Sequence, residues 1–599
     1  MAHKATLVVA SLLGLCTLSQ QQKPQCKTTP FDAAWPSDDE WYALNDTISG
    51  TLIEARPAAS SCYSGNPFGS PYSCDEVEQG WNYSSFQALL PESVNYQLFA
   101  NNSCLPPGTS GYTATKGCKV GCSPQYIVNA TAEEHIATAV KWASDRNIRI
   151  VIKGTGHDLS GRSSGSYALS IWTHNFKQAS YNTSWSLPGS NITSPVMTLG
   201  SGHTWGSASR FAAAYDKVIV GGQDETVGLG GHIQGGGHGP LSSRFGLAAD
   251  QILQARVVTM QGVVLVVDDQ QNEDLLWAIR GGGAGQYGIV TEYVLVAHPN
   301  PGNVIITPVT LNTANATVAA GWSAFAQLLA GIPDLMDLGI TGSGIASAAA
   351  GSNGTTGRVT ASASLYAYNS TAEAVLQALA PLQGSIRAAS NGTITLTTSD
   401  VTAEPDFISF FNSINSSPSS AGGGSVMTSR LLGRADLSGL PIPTLTSYLQ
   451  RVLVSQTVGG SALGVFGLQG GPGPRDVAEG RRGALNPAWR TAYVHLMSYG
   501  TYVNTTIAPS TALKSAADWL TDTVEPVWRE WSPGMGAYMN EGNCFLTTFK
   551  EDFYGEPYDR LLEVKKKYDP TESLFVLSGV GSDAWDYDLN SGRLCQTQQ

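Results

Sequence analysis

Two short, glycine-dense segments in this chain carry histidines and have the composition of an anion cradle. The first is Lys153-Gly154-Thr155-Gly156-His157-Asp158, at the end of the β-branched run IRIVIKG. The second is TVGLGGHIQGGGHG, from Thr226 to Gly239, with His232 and His238 inside it. Glycines let successive backbone N–H groups converge on an anion without intervening side chains, so two such loops suit a diphosphate. Glycine clusters also mark plain tight turns, and pattern alone leaves both readings open. Two other motifs fail on context. Gly161-Arg162-Ser163-Ser164-Gly165 has the spacing of a serine-hydrolase elbow, but the strand-like SYALSIW follows where a helix is required. Gly283 to Gly288 has G-x-G-x-x-G spacing, with a helix before and a strand after, the reverse of a dinucleotide fingerprint. In the strand-like YVHLMSY, alternation puts His495, Met497 and Tyr499 on one face.

The elements that must position these residues have an α/β texture from about residue 125 onward. Ala132 to Arg146 has apolar residues at helical spacing and precedes IRIVIKG. Tyr167–Trp172 and Pro195–Leu199 read as strands, Gly206–Tyr215 as a helix and Val218–Val220 as a strand. Beyond the second glycine tract come the strands ILQARVVTM and VVLVVDD, the helix NEDLLWAIR and the strand GIVTEYVLVAHP. Residues 305–500 alternate strands with Ala/Leu-rich helices. The tail is read as a strand GAYMN, then a helix YDRLLEVKKKY stopped by Asp569-Pro570.

At 599 residues the chain is too long for one simple core. Only 14% of residues are charged and 66 are glycine, which suits a turn-rich, strand-rich globular protein. A net charge of −13 argues against nucleic acid or an anionic membrane as partner. Lys4 followed by apolar Ala5–Leu18 reads as a secretory signal, too short to span a bilayer. Its removal takes Cys16 and leaves an even set of cysteines, implying disulfides in an oxidising compartment, six of them before position 125. Cys118 and Cys122 lack a second Cys/His pair for zinc, so no metal is expected. Asn45, Asn129, Asn191, Asn353 and Asn504 sit in N-x-[ST] acceptors. Secretion to the extracellular space is expected, as a monomer.

IRIVIKGTGHDLSG resembles the first flavin-binding loop of the vanillyl-alcohol-oxidase superfamily, where the histidine bonds covalently to the flavin. TVGLGGHIQGGGHGPLSSRFGLAADQIL and the tail NEGNCFLTTFKEDFYGEPYDRLLEVKKKYDPTESLF resemble its berberine-bridge-enzyme branch. The cysteine-rich N-terminus and NPAWR at Asn486–Arg490 are similar to fungal isoamyl alcohol oxidase-like proteins. The resemblance implies a two-lobed α+β fold, with a PCMH-type FAD-binding domain and a substrate domain of antiparallel sheet and flanking helices. The boundaries expected are a signal peptide at 1–20, a Cys-rich extension at 21–117, the FAD domain at 118–300, the substrate domain at 301–520, and a C-terminal segment at 521–599 that rejoins the FAD lobe.

The same resemblance implies FAD held by a single histidyl link at His157, because Asp224 stands where many relatives place a second, cysteinyl tether. His203, His232 and His238 are the rival histidines, read as structural or, for His238, lining the pocket. Expected cofactor contacts are Lys153, Gly154, Thr155, Gly156, Asp158, Asp224, Thr226, Val227, Gly228, Gly230, Gly231, His232, Gly235, Gly236, Gly237 and His238, with Gly288, Ile289, Val290 and Asn540. In relatives a valine at the Val227 position leaves room for dioxygen. The implied reaction is hydride transfer from a small-molecule alcohol to flavin, with dioxygen reduced to hydrogen peroxide. A carbohydrate oxidase, a secondary-metabolite tailoring oxidase and an idle flavin-fold binding protein are the alternatives. Alcohol oxidation also needs a base. Where the family has Tyr-x-Asn-Tyr, this chain has Tyr538-Met539-Asn540-Glu541. Glu541 with a pKa raised by an apolar pocket, Tyr538 lowered by a cation, His495 and Tyr499 are the candidates.

Overall fold

The computed structural model describes residues 26–187, 189–314, 316–351, 356–421 and 426–597. The expected signal segment with Cys16, and the acceptor Asn353, lie outside them. The fold is α+β. Its first layer is a four-stranded sheet in the order Leu52–Glu54, Tyr126–Asn129, Leu169–Trp172, Ile150–Lys153, the last three parallel. The helix Glu133–Ser144 makes the crossover between Tyr126–Asn129 and Ile150–Lys153 and buries Ile136, Ala139, Val140 and Ala143, a single stripe at helical spacing. That crossover leaves the first glycine loop at the carboxyl end of Ile150–Lys153, where open α/β sheets place their ligands.

Beside it lies a five-stranded antiparallel sheet ordered Ala179–Ser186, Thr193–Gly200, Ile289–Val296, Ile252–Val258, Val264–Asp268. The third sheet has eight antiparallel strands between Val304 and Tyr499. Its strand Ala492–Tyr499 pairs with Ser461–Leu468 and Thr428–Gly433. Val494 and Leu496 pack into the core with the helix Val318–Asp337, so His495 and Met497 on the opposite face are free to meet the first lobe.

The C-terminal segment returns to the first lobe, where Phe553, Tyr554 and Leu561 share a core with Tyr287 and Tyr293. The strand expected at GAYMN is not formed. The Ala537 N–H donates to the Asp552 carbonyl (2.7 Å), the Gly536 carbonyl accepts from Leu431 (2.8 Å), and the Glu541 N–H turns back to Tyr538 (3.0 Å). Backbone partners drawn from separate segments satisfy the chain without a ladder.

The N-terminal extension is also more regular than its composition suggests. Helices Asp38–Thr47 and Cys74–Gly80 begin in capping boxes, Ser37 with Glu40 and Ser73 with Glu76, an S-x-x-E signal visible in the sequence. Leu52–Glu54 joins the parallel sheet as an antiparallel edge. Disulfides join Cys26 to Cys595, Cys62 to Cys74 and Cys104 to Cys118. Complete pairing of the cysteines is not observed. Cys122 and Cys544 are free and buried in separate surroundings, Cys122 donating to the Leu589 carbonyl (3.3 Å) and Cys544 packed in the core of the second lobe. Burial pushes the Cys544 thiol up to about 12, which keeps it an inert core residue. Among the described residues no helix is long and apolar enough to cross a membrane.

Candidate active site

The two lobes and the C-terminal segment enclose a cavity of about 420 Å³, lined by both glycine loops at one end and by the third sheet at the other. At the first loop, His157 Nε2 is buried without a hydrogen-bond partner and lies 3.4 Å from Asp224 Oδ2. Asp224 in turn accepts from the Thr226 N–H (2.8 Å), the Thr226 hydroxyl (2.7 Å) and the Ser419 hydroxyl (2.5 Å). Burial alone would raise the Asp224 carboxyl. The His157, Ser419 and Thr226 contacts outweigh it and hold the group well below the usual carboxylate range.

The loops need glycine for two different reasons. A Cβ on Gly239 would sit 1.8 Å from the Gly221 carbonyl oxygen, so this glycine permits close backbone packing. A Cβ on Gly231 would meet nothing within 4 Å and would project into the cavity. Gly154 is nearly as open, with only Thr173 Oγ1 at 4.0 Å. A cradle that side chains would fill, beside a buried imidazole nitrogen, fits a flavin dinucleotide. Gly154, Thr155, Gly228, Gly230 and Gly231 would hold it.

Two polar networks close the other side. In the first, Arg162 pairs with Asp158 (2.9 Å) and donates to Asn540 Oδ1 (2.9 Å), while Asn540 Nδ2 donates to the Tyr538 hydroxyl (2.8 Å) and the Gly231 carbonyl (3.3 Å). This ties the C-terminal segment to both glycine loops. In the second, His238 Nε2 and His495 Nδ1 approach the same oxygen, Glu541 Oε2, at 2.9 and 3.4 Å. The Tyr538 ring stands edge-on to both imidazoles, with centroids at 4.9 and 5.6 Å.

The electrostatics overturn two expectations about the base. Burial works to raise Glu541, but the charge and hydrogen bond of His238, followed by His495, bring it down to about 2. Burial holds His495 uncharged, its imidazolium down at about 3, so the larger share belongs to His238. The contacts with His238 thus pull Glu541 below its ordinary value, opposite to the expected rise. Burial, then the Glu541 charge, push Tyr538 far above the ordinary phenol value, outweighing the Asn540 hydrogen bond and the Arg162 charge that act to lower it. Tyr499 is pushed up for the same reasons, bonds Met497 Sδ at 3.4 Å, and does not line the cavity.

Of the expected cofactor residues, Gly154, Thr155, Gly156, Asp158, Asp224, Val227, Gly228, Gly230, Gly231, His232, His238, Gly288, Val290 and Asn540 line the cavity together with His157. Lys153, Thr226, Gly235, Gly236, Gly237 and Ile289 do not. The Lys153 ammonium turns away to the Leu90 carbonyl, because strand alternation points it under the loop. Gly235 packs on Asn540, where a Cβ would fall 2.3 Å from Nδ2, and Gly237 packs on His232. His203 is structural, bonded to the Lys177 carbonyl (3.0 Å) and Ser207 (2.9 Å). Arg162 was visible only as part of a failed hydrolase motif, and no local signal marked Ser343, Val465 or Gln469, which reach the cavity from strands or strand ends of the third sheet.

Residues 124–268 match a family model described as an FAD binding domain, and 537–575 one described as berberine and berberine like. The chain is 33% identical to the FAD-linked oxidoreductase apf9 of Gibberella fujikuroi, over 99% of each chain. It is 33% identical to the VAO-type flavoprotein oxidase VAO615 of Thermothelomyces thermophilus, over 98% of each. The crystal structure of the VAO-type flavoprotein MtVAO615 from Myceliophthora thermophila C1 matches with a TM-score of 0.82 at 31% identity, covering 96% of this chain and all of that one.

Proposed function

The chain belongs to the VAO-type FAD-linked oxidoreductases, and from that premise we propose that it is a secreted oxidase acting on an alcohol through FAD bonded to His157 alone. The observation that carries this reading is one cavity with a buried His157 nitrogen, 3.4 Å from Asp224, beside an open glycine cradle at one end and Glu541 against His238 at the other. Bound FAD supplies a hydride acceptor that dioxygen can reoxidise with release of peroxide. The chain's own residues must then hold the alcohol and take its proton. Neutral His238 accepts that proton, and Glu541, paired with its Nε2, orients the imidazole and stabilises the imidazolium that forms. His495 and Met497 face the substrate from the sheet, and Val227 lines the cavity beside the cradle, consistent with access for dioxygen. Asp224, occupied by His157, Ser419 and Thr226, leaves no thiol there for a second tether.

Three disulfides support secretion, and the net charge of −13 supports a monomer with small-molecule partners and neither nucleic acid nor membrane. The test is acid precipitation of purified wild type and His157→Ala, followed by peroxide release on a panel of alcohols. Flavin that stays with the wild-type pellet and leaves the variant supports the link. Flavin released from wild type would refute it.

A further inference from the structure

His495 is an anomaly for a core residue. It has no exposed surface, and neither ring nitrogen makes a hydrogen bond. A neutral imidazole offers one donor and one acceptor, and burying both unpaired is unfavourable. The strand Ala492–Tyr499 nonetheless aims the ring into the cavity, with Nδ1 3.4 Å from Glu541 Oε2. His238 Nε2 stands 2.9 Å from the same oxygen, and one ligand atom from each of the three residues lies within 4.8 Å of the others.

Two imidazoles and one carboxylate are the donor set of a divalent first-row metal site with open positions. Ligand atoms on one such ion, each at about 2.0–2.2 Å, stand roughly 3 Å apart. The two separations to Glu541 Oε2, 2.9 and 3.4 Å, lie close to that spacing, and the third ligand atom is within 4.8 Å. The elements that carry the ligands are the second glycine loop, the third sheet and the C-terminal segment. All three side chains line the cavity.

We propose that His238, His495 and Glu541 form a binding site for one divalent transition-metal ion, of which zinc is the probe. Binding releases the proton held between His238 and Glu541 and engages the imidazole nitrogen of His495. The inference does not rest on the oxidase reading, because occupancy is measured without turnover.

The experiment uses the full, flavin-loaded chain, stripped with chelator, re-equilibrated with zinc and assayed for metal per protein. One zinc per wild-type chain is expected. His495→Gln and Glu541→Gln should each lose it while keeping flavin absorbance and melting temperature, and His135→Ala, away from the cavity, should retain it. No stoichiometric zinc in wild type, or uptake unchanged in both site variants, would overturn the proposal. Should the variants fail to fold, cobalt(II) on wild type decides. Ligand-field bands of a four- or five-coordinate nitrogen/oxygen site, displaced by zinc, support the assignment. Six-coordinate surface binding overturns it.

Discussion

Gly231→Ala separates the two roles that glycine plays in the second loop. The residue lies in the helix Leu229–Gln234 with an ordinary backbone conformation, and an added methyl would meet no protein atom within 4 Å. In the absence of cofactor the substitution should therefore stabilise the fold, by about 0.4–1 kcal/mol through the lower entropy of the unfolded chain. The same methyl occupies cavity space that we assign to the cofactor's diphosphate. Displacing a phosphate oxygen from a backbone donor removes a hydrogen bond to a charged group, worth about 1.5–3 kcal/mol. That corresponds to FAD captured roughly ten- to a hundredfold more weakly before any covalent bond forms. The assay pairs flavin-to-protein absorbance with thermal melting of flavin-free material. Reduced flavin content with an equal or higher melting temperature is the expected pair. A fully flavin-loaded Gly231→Ala protein would show that the diphosphate lies elsewhere, and a collapsed one would show that the apparent space is packing room, as it is at Gly239.

Three further outcomes follow from the same geometry. His157→Ala should yield protein whose flavin leaves on acid precipitation, and a yellow pellet from the variant would place the link on another residue. Glu541→Gln should slow anaerobic flavin reduction by an alcohol substrate about 10²- to 10⁴-fold, the usual range for positioned acid–base groups. Flavin content should be unchanged in that variant, and a less than threefold change in rate would remove Glu541 from proton transfer. Burial lifts Glu525 to about 7 against a hydrogen bond from Thr428. A carboxyl raised in the folded state stabilises it fully below the unfolded value near 4.5 and loses that contribution as pH rises through 7. Wild type should thus lose up to about 3 kcal/mol relative to Glu525→Gln between pH 5 and 8, and parallel denaturation profiles of the two proteins would contradict this.

The glycine-loop end of the cavity was legible because its features are local. His157 and the open glycines sit in two continuous loops, and the strands and helices that deliver them have apolar periodicity that alternation or helical spacing reveals. The Ser37–Glu40 and Ser73–Glu76 capping boxes were equally local signals, and reading them would have replaced an irregular extension with helices. GAYMN failed as a strand because its alternation is real while its backbone partners come from separate segments, and a ladder needs a neighbour that no sequence window contains.

What the sequence determined by itself is the identity of the loops, the α+β texture and the candidate histidines, since each depends on residues within a turn or two of one another. What only the tertiary structure decided is the state of the titratable groups in the cavity. Glu541 in an apolar pocket would be a raised-pKa acid, and is instead pulled below its ordinary value because a loop about 300 residues earlier brings His238 to 2.9 Å. Lys153 falls within the cradle motif yet points away from the cavity, and Arg162, a failed motif, joins both loops to Asn540. Protonation and orientation depend on distances of a few ångströms between distant segments, and packing alone sets those distances.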